Sequence, residues 1–333
     1  MRFADSGDSD GIKDVFESGV FGGDLSVQYL RGERPVDSFF ADGDDAKIIV
    51  AVDTEENSVI GVGAAVVRSE FLNGRVEKCA YLTGLKIHPK YQGKLPFIAR
   101  AYGLMREEIS DCKCVYTTIL DDNKPVISML EKKRKNMPEY RYLGHYTTYC
   151  FHGGKHILPL ENDLNGFEDI MRRHFAEQSL VPAKTDHAGF GDKRFYCYRK
   201  NGEIIACCFV GDQSEFKQYK MSSYGGAYKL LSRLPTRLLG YPAFPKAGEM
   251  IRHGAVSYLY VKDNDRRLCS DFLRSAAADA GFSLLIWGGF ENNPLCMAMD
   301  KMKTVHYGSR LYQVFWDEPV SINGIIGVEA ALL

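Results

Sequence analysis

The stretch KIHPKYQGKLPF, residues 86–97, decides how this chain is read. Lys86 and Ile87 end an apolar strand, His88 and Pro89 turn a corner, a short polar loop with one glycine follows, and a helix opens near Phe97. Backbone amides at a helix start are ready-made donors for a phosphate. Leu95 and Pro96 stand where such a loop prefers glycine, and Pro96 brings no amide proton. The stretch is therefore either a working phosphate loop or the remains of one.

Working outward, the chain repeats itself. Asp10-Gly-Ile-Lys-Asp-Val-Phe16 matches Asn165-Gly-Phe-Glu-Asp-Ile-Met171, and both read as helix starts. Each follows a strand-like segment, Arg2–Ala4 in one copy and His156–Leu160 in the other. Residues 47–67 and 194–210 are apolar runs flanking a polar turn, the pattern of a hairpin. Then come strand 81–87, helix 97–109 and strand 114–120, matched by strand 256–261, helix 266–280 and strand 283–287. A further helix and an aromatic strand, Tyr142–Phe151 or Tyr307–Trp316, close each copy. The expectation is α+β: a first domain at 1–153, a second at 154–320 and a tail at 321–333. The second copy carries extra material at 211–250, a length that suits either an ordered insertion on one face or a lid.

Composition narrows the class. The formal charge is -1 over 333 residues, so no global field selects nucleic acid or a membrane surface. No apolar run approaches the ~20 residues of a membrane span. The opening MRFADSGDSD is acidic and lacks the apolar core of a signal peptide, so a cytoplasmic location is expected. The nine cysteines include Cys112-x-Cys114 and Cys207-Cys208, but no second pair completes a zinc set. Reduced thiols in buried strands, and no metal, are the expectation.

The order strand, His-Pro-x-Tyr, Gln-Gly, helix resembles the GNAT family of acyl-CoA-dependent N-acyltransferases. The repeat extends the resemblance to nearly the whole chain, as two tandem GNAT-type domains, each a mixed, mostly antiparallel sheet flanked by helices. The resemblance implies acetyl-CoA or another acyl-CoA as co-substrate. It implies that Leu85, Lys86 and Ile87 offer backbone groups to the pantetheine arm, and that Gln92, Gly93, Lys94, Leu95 and Phe97 hold the pyrophosphate. Asn123 matches the asparagine that follows the next strand. The equivalent loop of the second copy, Val261–Arg267, has no glycine and two aspartates, which repel a pyrophosphate. That copy reads as one that kept the fold and lost the cofactor.

Acyl transfer to an amine needs a deprotonated nucleophile and an acid for the departing thiolate. Many members of the family place a tyrosine seven residues after the asparagine; here that count gives Leu130, and Met299 in the second copy. Replacement candidates are Glu77 and Tyr81 on the cofactor strand, Tyr116 on its neighbour, and Asp121 and Asp122 at that neighbour's end. For each, the alternative is an ordinary one: strand-end carboxylates cap helices or face water, and strand tyrosines pack. His88 reads as a structural corner. The myristoyltransferases, a tandem branch of similar plan, use their chain terminus as a base, which places Leu333 among the candidates if the tail has a groove to lie in. The aromatic run Tyr140–Tyr149 reads as a core strand or as the lining of an acceptor pocket between domains. The expected partner is a small-molecule or peptide amine, with no nucleic acid or membrane. The rival expectation is a non-catalytic protein of the same fold that binds a metabolite or a protein.

Overall fold

The computed structural model describes residues 1–19, 24–91, 95–152 and 156–333. The first half contains β1 (Arg2–Phe3), α1 (Ser9–Glu17), β2 (Leu25–Leu30), α2 (Pro35–Ala41), β3 (Asp45–Asp53), β4 (Ser58–Leu72) and β5 (Arg75–Ile87). It continues with α3 (Leu95–Glu108), β6 (Cys114–Leu120), α4 (Lys124–Leu130) and β7 (Glu139–Phe151). The second half contains α5 (Phe167–Ile170), β8 (Val181–Pro182), β9 (Asp192–Lys200), β10 (Glu203–Asp212), β11 (Gln218–Tyr224) and α6 (Tyr228–Leu231). It ends with β12 (Gly254–Val261), α7 (Arg266–Ala280), β13 (Leu285–Phe290), α8 (Cys296–Met299) and β14 (Thr304–Phe315).

The repeat read from sequence is present, with one correction. His156–Leu160 forms no strand; only the neighbouring Glu161 bridges to Cys197. The Ile157 and Leu158 amides donate to Ser275 Oγ at 3.0 Å instead, and Pro159 has no amide to give a ladder.

The strands build one mixed sheet, ordered β1-β3-β4-β5-β6-β14-β7-β13-β12-β10-β9, with β8 pairing β4. Pairing is antiparallel except at β5–β6 and β12–β13. The closing strands are exchanged. β14 of the second half pairs with β6 of the first, and β7 of the first half pairs with β13 of the second. β7 and β14 also pair with each other from Thr304↔Phe151 to Phe315↔Glu139. The exchange makes the two halves one hydrogen-bonded body.

Helices cover both faces, so central strands lack a polar side. In β4, Val62, Ala64 and Val66 meet Ile12, Val15 and Phe16 of α1 and Phe39 of α2. The alternate residues Ala65 and Val67 meet Ile98, Tyr102 and Met105 of α3. These helical residues recur at the three- and four-residue spacing of one buried face. The same alternation splits Cys207 and Cys208 of β10 into the cores on opposite faces. All nine cysteines are free thiols.

The insertion at 211–250 does more than pack on one face. Its strand β11 pairs with β2 of the first half, Tyr219 opposite Tyr29, as a two-stranded ribbon that bridges the halves.

Candidate functional site

The strand β5 that leads into the quoted loop pairs with β6 only over Cys79↔Cys114, Ala80↔Val115 and Tyr81↔Tyr116. Beyond that point the two strands part, while β5 stays paired with β4 through Ile87. Across the start of the gap, Thr117 Oγ1 donates to Leu82 O at 2.7 Å, and Tyr81 Oη meets Thr118 Oγ1 at 2.7 Å. From Thr83 to Ile87 no strand among the described residues pairs with the β6-facing edge of β5, an edge of the kind an extended ligand can add to. A bulge between Val62 and Ala64 marks the same point, and Gly84 there takes φ +66.

The expected cofactor residues divide into two groups. Leu85 is exposed, Ile87 is half-buried, and the Lys86 side chain turns back to donate to Phe16 O at 2.5 Å and Gly19 O at 3.2 Å. Burial lowers the Lys86 pKa to about 8. Tyr91 donates to Asp53 at 2.7 Å, which helps to push its phenol up to about 12. Gln92, Gly93 and Lys94 lie outside the described residues. Leu95 and Phe97 form the first turn of α3, where Pro96 is tolerated because first-turn amides have no helical partner. Asn123 precedes α4, and its carbonyl accepts from Ile127 N at 3.1 Å.

The expected acids do not converge. Glu77 sits opposite Glu70, four residues before Tyr81 and so ~13 Å along the strand from the parting point. Tyr81 is buried at the parting point, and burial raises its pKa. Asp121 contacts His145 Nε2 at 2.5 Å and Arg310 Nε at 4.0 Å. Asp122 is exposed. The run Tyr140–Tyr149 lies within β7, the strand exchanged between the halves.

Where the β2–β11 ribbon joins the halves lies a set of tyrosines that the sequence did not single out. Tyr29 of β2 and Tyr219 of β11 face each other with ring centroids 5.3 Å apart. Burial raises the phenols of Tyr29, Tyr219 and Tyr307, the Tyr219 group to about 12. Tyr307 nevertheless keeps 42 % of its surface exposed. Tyr29 Oη has no hydrogen-bond partner among the described residues. Only the pairing of β2 with β11 and the placement of β14 beside β7 bring these rings together, so no local pattern announces them.

Buried charges clamp the tail. Arg68 donates to Glu70 at 2.9 Å, to Tyr116 Oη at 2.8 Å and to Leu332 O at 3.0 Å. Tyr116 in turn donates to Glu70 at 2.7 Å. Arg31 pairs with Asp42 at 2.9 Å, and Lys217 lies 2.9 Å from the other Asp42 oxygen. Lys217 also donates to Ala331 O at 2.8 Å and Leu333 O at 3.1 Å, and burial lowers its pKa to about 8. Ile326, Val328, Ala331 and Leu332 are buried, so the groove that the tail required exists.

The second half shows the same parting of strands: β12 and β13 pair only at Gly254↔Leu285 and Ala255↔Ile286. There the chain's own tail takes the available partners. Asn292, the counterpart of Asn123, donates to Gly324 O at 2.9 Å and accepts from Ile326 N at 3.2 Å. Tyr258 N donates to Glu329 Oε1 at 2.8 Å, and burial pushes that carboxyl up to about 8. Asp265 caps α7 by accepting from the amides of Arg267 and Leu268. The donors that a phosphate would use are thus occupied by a carboxylate of the chain itself.

No protein-family model matches this sequence, and no curated protein matches it. Among solved structures, N-myristoyltransferase from Saccharomyces cerevisiae with bound myristoyl-CoA superposes with TM-score 0.59 at 9% identity, covering 93% of this chain and 76% of that one. A second structure of that enzyme covers 97% and 85%, with TM-score 0.57 at 9% identity. A GCN5-related N-acetyltransferase from Anabaena variabilis covers 94% and 72%, with TM-score 0.48 at 11% identity. The chain has the GNAT fold, as the quoted loop and the repeat led one to expect. More particularly, its two-lobe arrangement is like that of N-myristoyltransferase.

Proposed function

We propose that this protein is an acyl-CoA-dependent N-acyltransferase. The acyl-CoA lies along residues 83–87 in the gap between β5 and β6, and the amine acceptor enters between the halves beside Tyr29, Tyr219 and Tyr307. The parting of β5 and β6 after Tyr81 and Tyr116 carries the reading, because it leaves a strand edge suited to the amides of a pantetheine arm. In this reading residues 1–153 bind the cofactor, 154–320 form a degenerate second unit, and 321–333 form the tail that closes that unit. The acceptor nitrogen attacks the thioester carbon, the C–S bond breaks, and the thiolate leaves as such, stabilised by a hydrogen bond from the Tyr29 hydroxyl, while the nitrogen releases its proton to water. Burial keeps Tyr29 protonated, as a donor requires.

The test combines binding and turnover. Melting temperature is followed with acetyl-, octanoyl- and myristoyl-CoA, and thiol release is then followed with peptides, polyamines and amino acids. Stabilisation by one acyl-CoA with amine-dependent thiol release is expected; no stabilisation by any of them sinks the proposal. Stabilisation without release supports the second reading, a binding protein. Leu130, at the place where the family puts its tyrosine, and the hydrogen bond tying Tyr81 to Thr118 favour that reading.

A further inference from the structure

We propose that the segment Tyr228–Tyr241 is a lipid-facing surface that docks this protein on an anionic membrane. Leu230 is 67% exposed, Leu238 85% and Leu239 54%, with Leu231, Leu234 and Tyr241 exposed beside them. Such a concentration of aliphatic surface is unusual on a monomer and marks an interaction site.

The display is built. α6 and a second helical turn at Thr236–Leu239 are separated by Pro235. Thr236 is buried and donates to Pro242 O at 2.8 Å, and Tyr241 N donates to Thr236 O at 3.1 Å. Lys303, just before β14, donates to Leu239 O at 2.6 Å. The segment is pinned to the body while its leucines point outward.

Charge selects the partner. From Phe216 to Gly248 the chain contains no Asp or Glu, while Lys220, Lys229, Arg233, Arg237 and Lys246 fall in the same span. In a chain of formal charge -1 this is a local basic excess. Leucines interleaved with Lys and Arg are the composition of segments that lie in a membrane interface. Basic residues there are drawn to anionic headgroups. A protein partner is less well matched, since leucine is under-represented among the residues that carry protein–protein affinity. No described helix is long and apolar enough to cross a membrane. Surface docking needs none, and it runs against the expectation from the sequence that a membrane is not a partner.

The experiment is co-sedimentation with phosphatidylcholine vesicles, with and without phosphatidylglycerol, at low and high salt. Binding is expected only with phosphatidylglycerol and is expected to weaken with salt. The double variant Leu234→Glu/Leu238→Glu should lower partitioning by at least about tenfold with an unchanged melting temperature, since both side chains are exposed. Arg233→Glu/Arg237→Glu should lower it by about tenfold as well. Failure of the wild-type chain to sediment with anionic vesicles overturns the proposal, as does full binding by the leucine variant. Self-association seen by light scattering that the leucine variant abolishes, without vesicle binding, assigns the patch to a second copy and also overturns it.

Discussion

Gly84 and Tyr258 occupy the same place in the two halves, three residues before the end of the strand that enters each loop, and both take a left-handed backbone, with φ +66 and φ +50. Both mark a register shift in the pairing with the preceding strand. Glycine holds this conformation without steric cost. Tyrosine holds it because its surroundings over-determine it: its amide is bound by Glu329, and its hydroxyl donates to Pro182 O and Lys184 O. The half read as cofactor-binding has the unstrained version; the half closed by the tail has the strained one.

Replacing Gly84 therefore has a defined cost. In Gly84→Val the new Cβ would lie 2.8 Å from Phe39 Cζ, in a backbone region that L-residues avoid. The backbone contributes about 1–2 kcal/mol of destabilisation and the collision about 1–3 kcal/mol. Urea unfolding checks the sum, and stabilisation by acyl-CoA should vanish with it. A neutral variant would show that the bulge relaxes freely.

Arg68 holds Glu70, Tyr116 and Leu332 O together at positions without solvent. Arg68→Met leaves the Glu70 carboxylate buried without its cation and should cost about 3–5 kcal/mol. Arg68→Met/Glu70→Leu should recover most of that loss. Hydrogen exchange at residues 326–333 should rise in the single variant. A loss under about 1 kcal/mol would contradict the assigned role.

The Glu329 carboxyl is held at about 8, against an ordinary 4.5, because burial penalises its charge. The folded chain therefore keeps a proton that the unfolded chain releases. This contribution to stability is complete below about 4.5, declines as pH rises, and is gone above about 8. The expected slope is on the order of 1 kcal/mol per pH unit within that window. Glu329→Gln should flatten it while leaving an acceptor for the Tyr258 amide. Lys217, held at about 8, works at higher pH, where its early deprotonation makes stability rise toward about 10.5. Chemical denaturation across the two windows separates the groups.

If Tyr29 donates a hydrogen bond to the departing thiolate, Tyr29→Phe should lower kcat by about a hundredfold. The melting temperature and its shift with acyl-CoA should stay near wild type, because the ring remains and Tyr29 Oη has no partner among the described residues. Unchanged thiol release would remove Tyr29 from the reaction.

Much of the fold was legible residue by residue. Strand 114–120 and helix 266–280 form with those bounds, because β-branched runs and three-to-four periodicity act within a few residues. Asp265, read from sequence only as a charge that repels a pyrophosphate, proves to be the cap of that helix. Strand 81–87 extends back to Arg75, since pairing with β4 continues past the apolar run. The tyrosine cluster was not legible: Tyr29, Tyr219 and Tyr307 come from distant segments, and each alone reads as an ordinary strand aromatic.

The sequence by itself determined two copies of one α+β plan, a single loop with the makings of a cofactor site, and a second loop whose two aspartates repel a phosphate. Tertiary structure alone decided that the closing strands change places, that β2 of the first half meets β11 of the second, and that the tail enters the second gap. The reason is physical. Period, turn chemistry and capping are local, whereas the choice of partner for β7 or β14 depends on how two whole sheets bury their faces together.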